Sequence, residues 1–213
     1  MTTTAFTTLC WRSAALEALR LILAIFLGWG LTHPALGQSV ATEVTQLRFE
    51  REGESILLSA VVAFDLSATV EEALVKGVPM IFVAEVELLR ERWYWTDKKV
   101  LTAQRHMRLA YQPLTRRWRL HVASGPLSAA GLGLSLNQSF ETLPDAVAAL
   151  QRLSRWKVAD LSDIDLEQSH YAEFRFKLDL AQLPRPFQIG SLGHSDWNVS
   201  ASKTQRFALE PAK

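Results

Sequence analysis

Apolar residues recur at every second position over much of the chain, the period of a strand with one buried face. Residues 55–66 place Ile56, Leu58, Ala60, Val62, Phe64 and Leu66 on one side, with Ser55, Ser59 and Asp65 on the other. Residues 80–88 group Met80, Phe82, Ala84, Val86 and Leu88, with Glu85 and Glu87 opposite. Beyond Leu88 the phase slips: Leu89, Trp93 and Trp95 take odd positions, and Arg90, Arg92 and Tyr94 take even ones. One extra residue keeps a single face apolar through such a slip, which predicts a β-bulge near 88–89. A polar turn over 96–99 leads into a return strand. It carries Leu101, Ala103, Met107, Leu109 and Tyr111 inward, with Arg105 interrupting, and Thr102, Gln104, His106 and Arg108 outward. Residues 80–111 therefore read as one long hairpin about which the rest is organised.

Further strands are expected at 44–50, at 116–123 and at 170–180. In the second of these Trp118, Leu120 and Val122 point inward, and Arg117, Arg119 and His121 outward. Shorter strands are expected at 156–161, 197–201 and 205–209, with a brief pairing at 139–141. The small, Gly-rich stretch 124–136 reads as a loop or strand edge, and the proline-stiffened 183–187 as an extended crossing. Two stretches change period. Residues 67–76 have a Ser67 cap, a stripe of Val70, Ala73 and Leu74, and Gly77 as the stop. The second begins at Thr142, with Pro144 and Asp145 in its first turn, and is expected to run to about Leu153. Seven or more antiparallel strands, two short connecting helices and no βαβ rhythm predict a mainly β chain. Its form is a β-sandwich or partly open barrel.

The N-terminus follows a different pattern. Arg12 and Arg20 precede an apolar run over 21–31, and small residues Ala35 and Gly37 follow. That is the layout of a secretory signal peptide with a cut after Gly37. The alternative is an uncleaved helix anchoring the chain in the inner membrane. The expected organisation is a signal peptide at 1–37, a short leader at 38–43, a single β-rich domain at 44–209 and a tail at 210–213. Its expected location is periplasmic. The lone Cys10 precedes the apolar run, so the mature chain has no cysteine. That excludes thiol catalysis, Cys-based metal sites and a disulfide framework.

Charge adds an asymmetry. The chain has 23 Lys and Arg against 22 Asp and Glu. Without Arg12, Arg20 and Glu17 the mature chain is neutral at 21 against 21. Residues 90–121 nevertheless hold nine Lys and Arg against Glu91 and Asp97, a local excess of +7 that the remainder must balance. Arg90, Arg92, Tyr94, His106, Arg108, Arg117, Arg119 and His121 fall on expected outward positions and form the candidate binding face. Guanidinium groups on such a face suit a protein partner at the inner membrane, or an anionic lipid or glycan surface. An exported location disfavours nucleic acid. A solubilising cover over the sheet is the plainer reading of the same arginines.

No catalytic, cofactor-binding or metal-binding constellation emerges. His106, His121, His170 and His194 lack metal-ligand spacing. The Gly190-Ser191-Leu192-Gly193 loop lacks nucleophile-elbow spacing. Asp160, Asp163 and Asp165 lack the glycine and distal glutamate of a calcium loop. The alternative function is a small-ligand or lipid-binding β-fold with an aromatic pocket about Trp93, Trp95 and Trp118.

Several motifs together resemble a family. They are Val62-Ala63-Phe64-Asp65-Leu66, Glu71-Glu72-Ala73-Leu74 with Gly77-Val78-Pro79, and Arg90-Glu91-Arg92-Trp93-Tyr94-Trp95. Tyr111-x-Pro113-Leu114-Thr115-x-x-Trp118 and Leu183-Pro184-Arg185-Pro186-Phe187 complete the set. On these the chain resembles domain-of-unknown-function family 4390, exported proteins of proteobacteria, over about 44–209. The resemblance implies a companion of membrane signalling kinases and carries no catalytic residue.

Overall fold

The alternating rows bury their apolar sides against each other in two facing sheets. The computed structural model describes residues 42–91, 97–125, 135–185, 187–188 and 195–211. Among them run β1 (Glu43–Glu52), β2 (Ser55–Ala63), α1 (Ala68–Val75), β3 (Met80–Arg90), β4 (Lys98–Gln112), β5 (Arg117–Ser124) and β6 (Ser135–Phe140). Then follow α2 (Leu143–Leu150), β7 (Arg152–Asp160), β8 (His170–Leu178), β9 (Ser200–Arg206) and β10 (Leu209–Pro211). The smaller sheet has the order β10-β1-β2-β7, the larger β6-β5-β4-β3-β8-β9. Among the described residues no strand ladder joins the two sheets. The chain is a mainly β sandwich and not a closed barrel.

The inward rows are those the alternation marks. Ile56, Leu58, Ala60, Val62 and Phe64 from the smaller sheet meet Met80, Phe82, Ala84, Val86 and Leu88 from the larger. Phe64, Phe82 and Phe176 pack with centroids 5.4–5.8 Å apart. Such pairs add about 1 kcal/mol each beyond their buried area.

Both helices carry the chain between the sheets, and they do so at the same end. α1 links β2 to β3, and α2 links β6 to β7. Ser67 Oγ accepts from the Val70 amide, as the cap requires. Val70, Ala73 and Leu74 are buried. Gly77 has φ +87°, and β3 begins at Met80, immediately after Pro79. Thr142 caps α2 by accepting from the Asp145 amide. The Gln151 side chain donates to the Phe64 carbonyl at 2.7 Å and ties the two crossovers together.

The structure corrects several expectations. α2 ends at Leu150, and Leu153 belongs to β7. In β7 the buried residues are Leu153, Trp156, Val158 and Ala159, because one bulge with Arg155 at φ +47° inserts a residue between the first two and a second register shift leaves Val158 unpaired beside Ala159. That insertion hides the period of 2. In the hairpin, Leu88 pairs with Leu101 and Leu89 with Lys99. The extra residue is therefore Val100 on the return strand, while β3 continues unbroken against β8. The two short strands expected at 197–201 and 205–209 are replaced by β9 and β10. Glu210, expected in a tail, pairs in parallel with Glu50 of β1. In place of an extended crossing, the Phe187 and Gln188 amides both return to the Pro184 carbonyl.

One long edge of the sandwich is closed by side chains. β9 leaves the larger sheet and β10 joins the smaller beside β1. Where β10 stops, Lys203 Nζ donates to the Val44 carbonyl at 3.3 Å and Gln205 Nε2 to the Leu47 carbonyl at 3.1 Å. Phe49 and Phe207 meet edge to face at 5.0 Å.

Candidate functional site

The outer face of the larger sheet divides by charge. Its acidic half lies on β3 and β8 and is neutralised locally. Glu87 is buried and pairs with Lys99 and with Arg175, the latter at 3.2 Å. Arg175 also bonds Glu173 at 3.0 Å, which first among several causes pushes its guanidinium above the ordinary value. Gln104 donates to Glu85 at 2.9 Å. At the far end Tyr171 donates to Asp97 at 2.6 Å, and this bond pushes the phenol up to about 12.

The basic half lies on β4, β5 and β6. Register sets Arg108 beside His121, and His121 beside Asn137; the next row holds Ala110, Arg119 and Ser139. Arg108, Arg117 and Arg119 are exposed. Arg117 pairs with Glu141 at 3.2 Å, and His121 Nδ1 lies 2.6 Å from Asn137 Oδ1. Among the described residues Arg108 and Arg119 have no ion-pair partner. The alternation that turns Trp118 and Leu120 into the core turns these arginines out.

The other candidate residues fall differently. His106 is on the same side of the sheet as Arg108 but is buried, and its Nδ1 has no hydrogen-bond partner. Arg90 is not with the group. Because β3 runs unbroken, Arg90 pairs with buried His170 on the side faced by Leu88 and Ala172, at the opposite end of the strand from Ile81, the partner of Arg108. Arg92 and Tyr94 lie outside the described residues, as do Trp93 and Trp95 of the expected aromatic pocket. Trp118 packs against Tyr111 at 4.8 Å.

Arg105 is an unusual element of the interior. It sits on the inward row of β4, its guanidinium 5.2 Å from the Trp156 ring centre across the sandwich. Its Nε is buried without a hydrogen-bond partner. Burial pulls its pKa down to about 10. The sequence shows Arg105 as a break in an apolar row, but nothing local names Trp156 as its partner.

Hollows formed by described residues include two. One, of about 550 Å³, lies between the crossovers and is lined by Asp65, Leu66, Glu71, Leu143, Val147 and Gln151 among others. The second, of about 200 Å³, lies on the outer face of the smaller sheet over Ser59 and Val61. Neither is lined by an aromatic ring. Among the described residues no group of three His, Cys, Asp or Glu is placed to hold a metal ion. The three aspartates of 160–165 serve local turns. Asp163 accepts from the Asp160 amide, Asp165 accepts from the Glu167 amide, and Asp160 takes a hydrogen bond from Ser55 and an ion pair from Lys157. The Lys157 contact is the main cause holding Asp160 below the usual carboxylate range.

The class these features define is a two-sheet β-sandwich with helical crossovers at one end and a charge-divided outer face. The model of the family described as Domain of unknown function (DUF4390) matches residues 40–207, and the chain belongs to that family. No curated protein and no solved structure matches it.

Proposed function

We propose that this chain is an exported, non-catalytic accessory domain, periplasmic once its leader is removed, that binds an acidic partner through β4 and β5. The observation that carries the reading is the pair Arg108 and Arg119. Both are exposed, lie one strand step apart on a rigid sheet, and lack the carboxylates that neutralise the other half of the same face. Arginine on such a platform offers forked donors at low entropic cost. Attraction of this kind is long-ranged and screened over about 8 Å at physiological ionic strength. The export half of the proposal rests on the basic, apolar and small-residue layout of the N-terminus.

The test is capture by crosslinking in cells of the exported protein, beside the variant R108Q/R119Q. Loss of the captured partner in the variant, with an unchanged melting curve, supports the face. Equal capture by both, insensitive to salt, overturns it. A mass spectrum showing a chain that starts near Gln38 supports export, and recovery of the uncut chain alone overturns cleavage.

A further inference from the structure

The smaller sheet carries a basic feature of its own, built by register. On its outer face Gln46, Val61 and Arg152 form one row across β1, β2 and β7, and Arg48 stands beside Ser59 in the next. The β7 bulge then sets Ser154 and Arg155 opposite Ser59. Arg48 and Arg152 thus occupy diagonal corners of a small grid, two strands across and two residues along, roughly 12 Å apart at their bases. Between them lies the hollow of about 200 Å³, lined also by Gln46, Ser59, Val61 and Ser154.

We propose that this hollow binds a tetrahedral oxyanion, either inorganic phosphate or the phosphate group of a monoester, held between Arg48 and Arg152. The neighbouring cations of this sheet are already engaged, Arg155 with Glu52 and Lys157 with Asp160. Among the described residues Arg48 and Arg152 join none, so both guanidiniums are free to turn inward over the Val61 floor. Two single positive charges match a group that carries about −1.5 to −2 at neutral pH. Guanidinium forks meet phosphate oxygens two bonds at a time. Ser154 and Gln46 supply further donors at the rim. The room fits the ion with a few waters, each occupying about 30 Å³ in the liquid.

The bulge borders the hollow, since Ser154, which lines it, directly precedes Arg155. The Arg155 amide donates to Ser59 Oγ at 3.2 Å, which fixes the kink in β7 against the centre of the sheet. A non-glycine residue at φ +47° is held there only by such surroundings. Bulges of this sort re-aim side chains at sheet edges, and β7 is an edge strand.

The experiment is an amide-resonance titration of the purified protein with sodium phosphate at fixed ionic strength, followed by sodium sulfate and glycerol phosphate. Saturable shifts at Ser59, Val61, Ser154 and Arg155 are expected. R48Q and R152Q each weaken the phosphate response at least fivefold, while R108Q/R119Q leaves it unchanged. That last variant separates this site from the face on the larger sheet. Binding of glycerol phosphate as tightly as phosphate assigns the site to a monoester group, and tighter binding of phosphate assigns it to the free ion. Should R152Q fail to fold, S154A removes one rim donor and is expected to weaken phosphate at least twofold. Shifts that do not saturate, or that R48Q and R152Q leave as they were, overturn the proposal.

Discussion

Gln205 donates its side-chain amide to the backbone carbonyl of Leu47 at 3.1 Å, where a neighbouring strand would place a backbone N–H. The bond stands at the seam between the sheets, part-buried, with Lys203 doing the same for Val44 two residues earlier on β9. A carbonyl left without a partner in such a place costs about 1–3 kcal/mol. Gln205→Leu is therefore expected to lower stability by about 1–2 kcal/mol in urea unfolding, with an unchanged slope. Gln205→Glu removes the donor at nearly the same size and is expected to cost at least as much. A Leu variant as stable as the parent rules the seam out as a source of stability.

Gly77 tests the helix stop. At φ +87° it holds a conformation costly for other residues, yet a methyl group placed there would touch nothing within 4 Å. The penalty for substitution is thus conformational. Gly77→Ala is expected to cost about 1 kcal/mol and Gly77→Val about 1–2 kcal/mol, with Gly77→Asn the mildest. Thermal melts of the three variants check the order, and a loss smaller for Ala than for Asn would point to a steric cause instead.

Arg155 should invert a familiar ranking. Glycine inside a strand is ordinarily worse than alanine by about 0.5–1 kcal/mol. At φ +47° the order is expected to reverse, with Arg155→Gly more stable than Arg155→Ala by about 1 kcal/mol. Both variants lose the exposed Glu52 pair equally, so their difference reports the backbone alone. Denaturant midpoints of the pair decide it.

Arg105 gives the pH prediction. Its folded pKa of about 10 lies below the ordinary 12.5, so between those values the unfolded chain holds more protons at this site. The site's contribution to stability then rises as pH passes upward through 10. Below 10 desolvation of the cation costs stability, and the Trp156 ring offsets on the order of 1 kcal/mol of that cost. Arg105→Met keeps most of the stem and is expected to be neutral or up to about 1 kcal/mol more stable at pH 7. The gap between variant and parent should narrow from pH 9 to pH 11. A large loss at pH 7 would mean that the cation contributes more than it costs.

The sequence made legible whatever depends on one strand at a time. Rows such as Ile56-Leu58-Ala60 and Met80-Phe82-Ala84 state their buried side directly, as do the caps at Ser67 and Thr142. Features that need a second strand were hidden. Nothing local places the extra residue at Val100 and not on β3, so the alternation points Arg90 outward with Arg108, whereas β8 holds it on the side of Leu88. The inner row of β9 is Ala201, Lys203 and Gln205, whose polar ends serve the β1 edge, and so the strand carries no apolar period. The basic half-face on β4 and β5 was visible because each arginine alternates with a core residue. The Arg48–Arg152 hollow was not, since its members come from strands about a hundred residues apart and meet only through register.

The strand order also dictates when the molecule can become whole. β3 is central in the larger sheet, with β4 on one side following at once and β8 on the other. Phe82 must wait for Leu178, as Leu58 must wait for Trp156 in the smaller sheet. A chain made N-terminus first therefore holds β2 half-matched until β7 has emerged and β3 half-matched until β8 has, when only the stretch after Leu178 is left to come. Contacts of such long span slow folding. The topology keeps both sheets incomplete until late in synthesis.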